Sequence, residues 1–387
     1  RVQRKACRAT LLAMPSAPTA GLELILNLEP ISIYLINQAL ITYMRLKENG
    51  NWKANPHESH NKLNHFNIIT KIVEEIPTIS MPTDRMLNRQ HIKTNFETFI
   101  LTREEMNRSL KRPRPSTPNT IHIFTDGSRF NNKSGSGYLV KGHENISFDG
   151  FHHLGEKITV YQAEIHAIIE AVSTLLQYEQ TNQNINIFID NQAAIMALGK
   201  YEIRNKLTLE CKQILNHLGE RNKVRLLWIP GHSNHPGNEI ADKKAKLGVE
   251  KVAFGPEPFI PVSEACIKDD IRKWCKRKHQ EYWNEAIEKY KHTRIMIPNI
   301  GNRIWKQVNN LSRQNMRRST HMLTGHCTLK KHLWRMNFEQ DPYCEHCPGI
   351  EKTAEHFLTS CPAYAAIRHH TLGTMLLCTN ELQHLKI

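Results

Sequence analysis

Ile121-His122-Ile123-Phe124-Thr125-Asp126-Gly127-Ser128 decides the fold. Its apolar, β-branched run predicts a strand, and an acid followed by glycine marks where that strand ends. The pattern returns in Ile185-Asn186-Ile187-Phe188-Ile189-Asp190-Asn191-Gln192, a second strand closing on an aspartate. If the two strands run parallel, both ends open on one sheet edge, the usual ligand edge of α/β folds. Working outward, residues 135–140 and 146–154 predict two more strands and 160–178 a helix. Residues 193–198 and 206–218 predict helices, 224–229 a strand and 239–247 a helix. Three strands followed by alternating helix and strand imply a mixed sheet packed by helices.

Two further acids join the strand-end pair. Glu164 lies in Gln162-Ala163-Glu164, inside a stretch whose apolar spacing makes a core-packed helix. An unpaired charge on its sheet side would be costly without a cation. Asp242 closes Asn238-Glu239-Ile240-Ala241-Asp242, which follows Pro230-Gly231-His232-Ser233. Taken singly, each acid has a plain reading: Asp126-Gly127 as a turn, Glu164 as a solvated helix residue, Asp190 as a helix N-cap. As an ordered set they fit one chemistry. Phosphodiester hydrolysis by two cations roughly 3.5–4 Å apart needs several carboxylate oxygens around them. Mg2+ suits such an all-oxygen site. Gly127 is expected to let a ligand approach closely.

Here the sequence resembles ribonuclease H type 1. The resemblance rests on Thr125-Asp126-Gly127-Ser128, Gln162-Ala163-Glu164, Asp190-Asn191-Gln192, and Gly231-His232 leading to Gly237-Asn238-Glu239-Ile240-Ala241-Asp242. It spans about residues 121–248. It implies a ribonuclease H-like five-stranded mixed sheet with flanking helices, and endonucleolytic cleavage of the RNA strand of an RNA–DNA hybrid. It implies Asp126, Glu164, Asp190 and Asp242 as ligands of two Mg2+ ions, with Mn2+ as a substitute, and His232 as the histidine that assists proton transfer. Asn191, Gln192 and Asn238 match positions that contact the hybrid; Ser128, Arg129 and Asn131 are candidates for its backbone oxygens. The chain departs from some bacterial members between Leu198 and Leu207, where an extended basic helix-loop is lacking, so substrate grip is expected from basic flanking segments.

The wider composition agrees with a polyanionic partner. The formal net charge over 387 residues is +15, and neutralising phosphates releases counterions. No run of eighteen apolar residues predicts a membrane span. The nine cysteines are odd in number and mostly scattered, and no export signal is read at the start, so an intracellular setting, nucleus or cytoplasm, is expected. The first residue is not Met, which reads as a piece of a longer protein. Asp269-Asp270 reads as a pair of first-turn helix acids rather than a metal pair.

Near the C-terminus, Cys344 and Cys347, spaced Cys-x2-Cys, are followed by His356 and Cys361. Two thiolates at that spacing fit one tetrahedral Zn2+, and the later pair completes four ligands, a closed structural site. His346 is a competing ligand. Leu323-Thr324-Gly325-His326, this Cys-x2-Cys and Ala354-Glu355-His356-Phe357-Leu358 look like the C-terminal region of jockey/R1-type non-LTR retrotransposon polyproteins. The opening, from Gln3 to Arg8 and on to Glu23, looks like the segment after their reverse transcriptase, an expected partner portion.

The expected organisation is a helical remnant over 1–110, a basic Pro-rich linker over 111–119, the nuclease domain over 120–250, a basic helical region over 251–340, and a CCHC-type zinc module with its tail over 341–387. An inactive nucleic-acid-binding relic of a retroelement is the alternative function.

Overall fold

The computed structural model describes residues 1–53, 65–100, 119–142, 146–231, 235–251, 258–286 and 290–384. The linker at 111–119, apart from Asn119, lies outside them, as does His232. The described elements begin with helices α1 (Val2–Leu11), α2 (Thr19–Ile25), α3 (Ile31–Glu48) and α4 (His65–Glu74). Strands β1 (Arg85–His91), β2 (Phe96–Phe99), β3 (Thr120–Phe130), β4 (Lys133–Lys141) and β5 (Ser147–Glu156) follow, then α5 (Val160–Leu176) and β6 (Asn184–Ile189). Next come α6 (Gln192–Gly199), β7 (Glu202–Asn205), α7 (Lys206–Gly219), β8 (Lys223–Trp228), α8 (Pro236–Glu250) and α9 (Glu264–Ala286). The rest is α10 (Lys291–Met296), α11 (Arg303–Val308), α12 (Arg313–Thr324), α13 (Lys330–Arg335), hairpin β9 (Tyr343–Cys344) and β10 (Cys347–Glu351), α14 (Ala354–Thr359) and α15 (Ala365–Leu372).

The chain divides into two compact units: Tyr43–Asp270, and Arg1–Thr42 together with Ile271–Ile387. In the first, a sheet of order β2-β8-β6-β3-β4-β5 is parallel from β2 to β3 and antiparallel from β3 to β5. Strand alternation sorts its two faces. Ile121, Ile123, Ile185, Ile187, Val224 and Leu226 enter one core with the apolar side of α5 and α7. Phe124, Leu139 and Ile229 meet Ala241 of α8 in another. On β4, Gly137 lies under α8. A Cβ there would stand 2.2 Å from the Ala245 nitrogen, so only glycine permits that approach.

This sheet has six strands, not the five expected. The sixth, β2, comes from the segment expected to be helical; its main chain pairs in parallel with β8, whose edge would otherwise be open, and Phe96 enters the core. Strand β1 pairs antiparallel with β7, so the position of the lacking basic helix-loop holds a short ribbon. The buried carboxylate of Asp84 ties these additions down. Its Oδ1 accepts the Leu207 N–H at 2.9 Å, and its own N–H donates to the Val262 carbonyl at 2.9 Å. Asp270 is not a first-turn acid; it sits on the second turn of α9, accepting from Thr78 at 2.6 Å and Lys157 at 2.9 Å.

The second unit is helical. Leu11, Leu22, Leu24 and Ile25 of the N-terminal helices share a core with Trp283, Met296, Ile304, Val308 and Leu323. The first 42 residues thus pack with residues 271–387, a pairing across the sequence that differs from the segments expected.

Candidate active site

Strands β3 and β6 run side by side up to Thr125 opposite Ile189; β3 does not end there as expected but continues to Phe130 against β4, so Asp126 lies within β3, one residue past its last pair with β6, beside Asp190 at the end of β6. Helix α5 delivers Glu164. Its start is fixed by a capping box: Thr159 Oγ1 accepts the Gln162 N–H at 3.2 Å, and the Gln162 side chain accepts the Thr159 N–H at 3.2 Å. Gln162 Nε2 also donates to the Pro261 carbonyl at 2.8 Å. Gly127 completes the setting. A Cβ on it would stand 2.6 Å from the Glu164 nitrogen, so the close approach it allows is that of α5 and not of a ligand, a correction to the expectation above.

One oxygen each from Asp126, Glu164 and Asp190 lies within 4.8 Å of the others. Asp126 is 7 % exposed and Glu164 2 %. Burial, followed by the charges of Asp190 and Asp242, pushes the Asp126 carboxyl up to about 8. Burial, followed by Asp126 and Asp190, raises Glu164 well above the usual carboxylate range. Glu164 Oε2 is buried and has no hydrogen-bond partner among the described residues. A crowded, dry, oxygen-only set with an orphaned acceptor fits a hard divalent cation. Asp242, on the second turn of α8, stands outside the tight trio but adds its charge to Asp126; its Oδ2 accepts from Lys246 Nζ at 2.6 Å. The Asp190 carbonyl accepts from Trp228 Nε1 at 3.0 Å. Gly231, the residue before His232, lies against Asp190, since a Cβ there would be 3.1 Å from Oδ2.

A family model described as RNase H matches residues 118–250. Ribonuclease H of Nitrosomonas eutropha is 30% identical over 148 residues, covering 34% of this chain and 91% of that protein. This chain belongs to the ribonuclease H family. Ribonuclease HI of Haemophilus influenzae is likewise 30% identical over 149 residues, covering 34% of this chain and 92% of that protein. Among solved structures, RNase H1 of the halophilic archaeon Halobacterium salinarum is 19% identical, with 34% of this chain and 99% of that one covered and a TM-score of 0.29. The chain is an enzyme of the ribonuclease H type.

Around the ribonuclease H acids, the remaining candidates fall differently. Asn191, not Asp190, caps α6: its Oδ1 accepts the Ala194 N–H at 3.2 Å. Gln192 is exposed beside it and Ser128 half-buried. Asn238 is buried, with Oδ1 unpartnered among the described residues. Asn131 is explained by the β3–β4 hairpin, where it and Asn132 take φ of 48° and 65°, the left-handed values a tight two-residue turn demands. Lys246, the cation on Asp242, was missed in the sequence, though its i,i+4 spacing was a usable signal.

The other cluster is in the helical unit. Ligand atoms of Cys344, Cys347, His356 and Cys361 all lie within 4.8 Å of one another. Cys361 Sγ is 3.8 Å from Cys344 Sγ and 4.0 Å from Cys347 Sγ. Thiolates about 2.3 Å from a tetrahedral zinc stand roughly 3.8 Å apart, so the spacing fits. His356 Nδ1 is engaged by Ser360 Oγ at 3.1 Å, which leaves the buried Nε2 as the ring's available ligand atom. Thr353 caps α14 on the His356 N–H at 3.0 Å. Buried Arg368 holds the Cys361 carbonyl at 2.7 Å, a support that no spacing in the sequence announced.

Proposed function

We infer that the chain hydrolyses the RNA strand of RNA–DNA hybrids endonucleolytically where β6 ends beside the middle of β3. The observation that carries this reading is the convergence of Asp126, Glu164 and Asp190 within 4.8 Å around the unpartnered Glu164 Oε2. These three, with Asp242 beside them, would hold a pair of Mg2+ ions, with Mn2+ as a substitute. Bound there, the ions supply an activated water and neutralise charge at the leaving oxygen. The chain's own part is positional. Gly127 and the Thr159–Gln162 capping box set the depth of Glu164. Trp228 fixes the main chain at Asp190. Exposed Gln192, half-buried Ser128 and Asn191, and Asn238 are the proposed substrate contacts, and His232 is the proposed proton carrier, since an imidazole titrates near neutrality. RNA is told from DNA by its 2′-hydroxyls in the wide minor groove of the hybrid.

The four-residue Cys/His cluster is read as a structural Zn2+ site that closes the β9–β10 hairpin onto α14. The motifs from Leu323 to Leu358 support a place in a non-LTR retrotransposon polyprotein, with a reverse transcriptase portion as partner and template RNA as the strand removed. The test uses the product of a first-strand reverse-transcription reaction as substrate. With Mg2+ the labelled RNA strand should be cut internally. With Mg2+ withheld (a strong chelator would also strip zinc) it should persist, and duplex DNA should survive both. Cutting of duplex DNA, or of the hybrid without a divalent ion, contradicts the reading.

A further inference from the structure

The excess charge of this chain is not spread evenly. The unit Arg1–Thr42 with Ile271–Ile387 carries twenty-three Lys and Arg against eleven Asp and Glu, while Tyr43–Asp270, which holds the acid site, carries twenty-nine against twenty-six. Residues 291–338 contain ten Lys and Arg and no Asp or Glu at all. A stretch that long without one acid is unlike an ordinary solvated surface, where both signs alternate.

That stretch lines one wall of a cleft of about 460 Å3, and the loop between Cys347 and His356 lines the other. Lys291, Lys331, Arg335 and Lys352 line it, with Glu351 and Glu355 on the loop wall. Lys331 is paired with Glu351, and Lys352 with Glu345 at 2.6 Å. Lys291 and Arg335 are exposed and have no carboxylate partner among the described residues. Between the walls, Ser16 Oγ bridges two rings, His326 Nδ1 at 3.0 Å and His332 Nε2 at 3.1 Å. Burial, then the neighbouring His332, Arg335 and His292, holds His326 down to about 4.

Aromatic side chains stand beside this charge. Trp334, on the same helix as Lys331 and Arg335, is 41 % exposed, with Lys331 Nζ 4.9 Å from its ring centre. Phe338 is 75 % and Tyr343 48 % exposed. Lys331 covers part of the Trp334 ring, but the rest of it and Phe338 remain exposed; exposed aromatic surface beside cations serves bases whose own faces are open, and those of a duplex are covered by stacking. We propose that this helical unit binds single-stranded nucleic acid, with phosphates on Lys291 and Arg335 at the cleft and bases stacked on Trp334 and Phe338. The site shares no residue with the acid cluster and does not depend on the hydrolytic reading.

Fluorescence anisotropy with a labelled oligo-dT and the full-length chain tests it. No RNA is present, so a failed hydrolysis assay leaves the measurement standing. The double variant Lys291→Glu/Arg335→Glu should weaken binding at least tenfold and lower the slope of log affinity against log salt by about 1.4, two single-strand phosphate contacts. Trp334→Ala should weaken it by about tenfold, whereas Lys223→Glu, an exposed reversal in the other unit, should change it less than twofold. Both test sites are exposed, and circular dichroism should match that of the wild type. Wild-type affinity in the double variant overturns the proposal. So does a silent Trp334→Ala together with equally tight binding of duplex DNA of the same length.

Discussion

At the scale of single residues, Asp126 concentrates the physics of the site. Its carboxyl titrates near 3.8 in the unfolded chain and about 8 in the metal-free fold, because burial and then Asp190 and Asp242 oppose its ionisation. The folded state therefore binds more protons across that interval. The contribution of Asp126 to the stability of the metal-free protein is fully present below about pH 4 and is lost as pH rises toward 8, where the folded carboxyl ionises. Asp126→Asn removes the penalty. Thermal melts with divalent ions withheld but zinc retained should show the variant more stable than wild type at pH 8, by an amount on the order of a few kcal/mol, and nearly equal at pH 4. Melts that stay parallel across that range would mean the acids are not crowded. The acids themselves were legible in the sequence from their motifs, although Asp126 lies inside β3 and not at its end, because the strand continues against β4 to Phe130. What Gly127 does was not: a glycine announces that something comes close, and only packing reveals that the neighbour is the backbone of Glu164.

At the scale of elements, β3 to β6, β8 and helices α5 to α8 could be read because their periodicity is local and strong. Strands β1, β2 and β7 could not. Arg85–His91 and Glu202–Asn205 are short and polar, and no alternation within them specifies a sheet. Their pairing is decided by a partner edge far away in sequence. The β9–β10 hairpin with α14 is the opposite case, since the Cys-x2-Cys spacing fixes the partners in advance. If zinc closes this element, its folding energy comes largely from the metal. Elemental analysis should find one zinc per chain, and Cys361→Ser should lose it, with a cooperative unfolding transition of the helical unit lost or shifted downward. A protein that retains its melting profile after the metal is stripped would make the cluster a set of buried thiols.

At the scale of the whole molecule, the chain combines a nearly charge-balanced ribonuclease H unit with a strongly basic helical one. The association of the first 42 residues with residues 271–387 was illegible because it rests on apolar faces that match only in three dimensions, such as those of Leu22, Ile25 and Trp283 in one core. The division places carboxylate chemistry in one unit and most of the excess positive charge in the other. The central claim remains that Asp126, Glu164 and Asp190, with Asp242 beside them, form a cation site that cuts RNA in a hybrid. Single-turnover cleavage of a labelled RNA–DNA hybrid by wild type and Asp126→Asn, in Mg2+, with hybrid affinity measured in parallel, tests it most directly. The account predicts that Asp126→Asn cuts at least about a thousandfold more slowly while binding the hybrid within a few-fold of wild type. Cleavage by Asp126→Asn at a wild-type rate would contradict it.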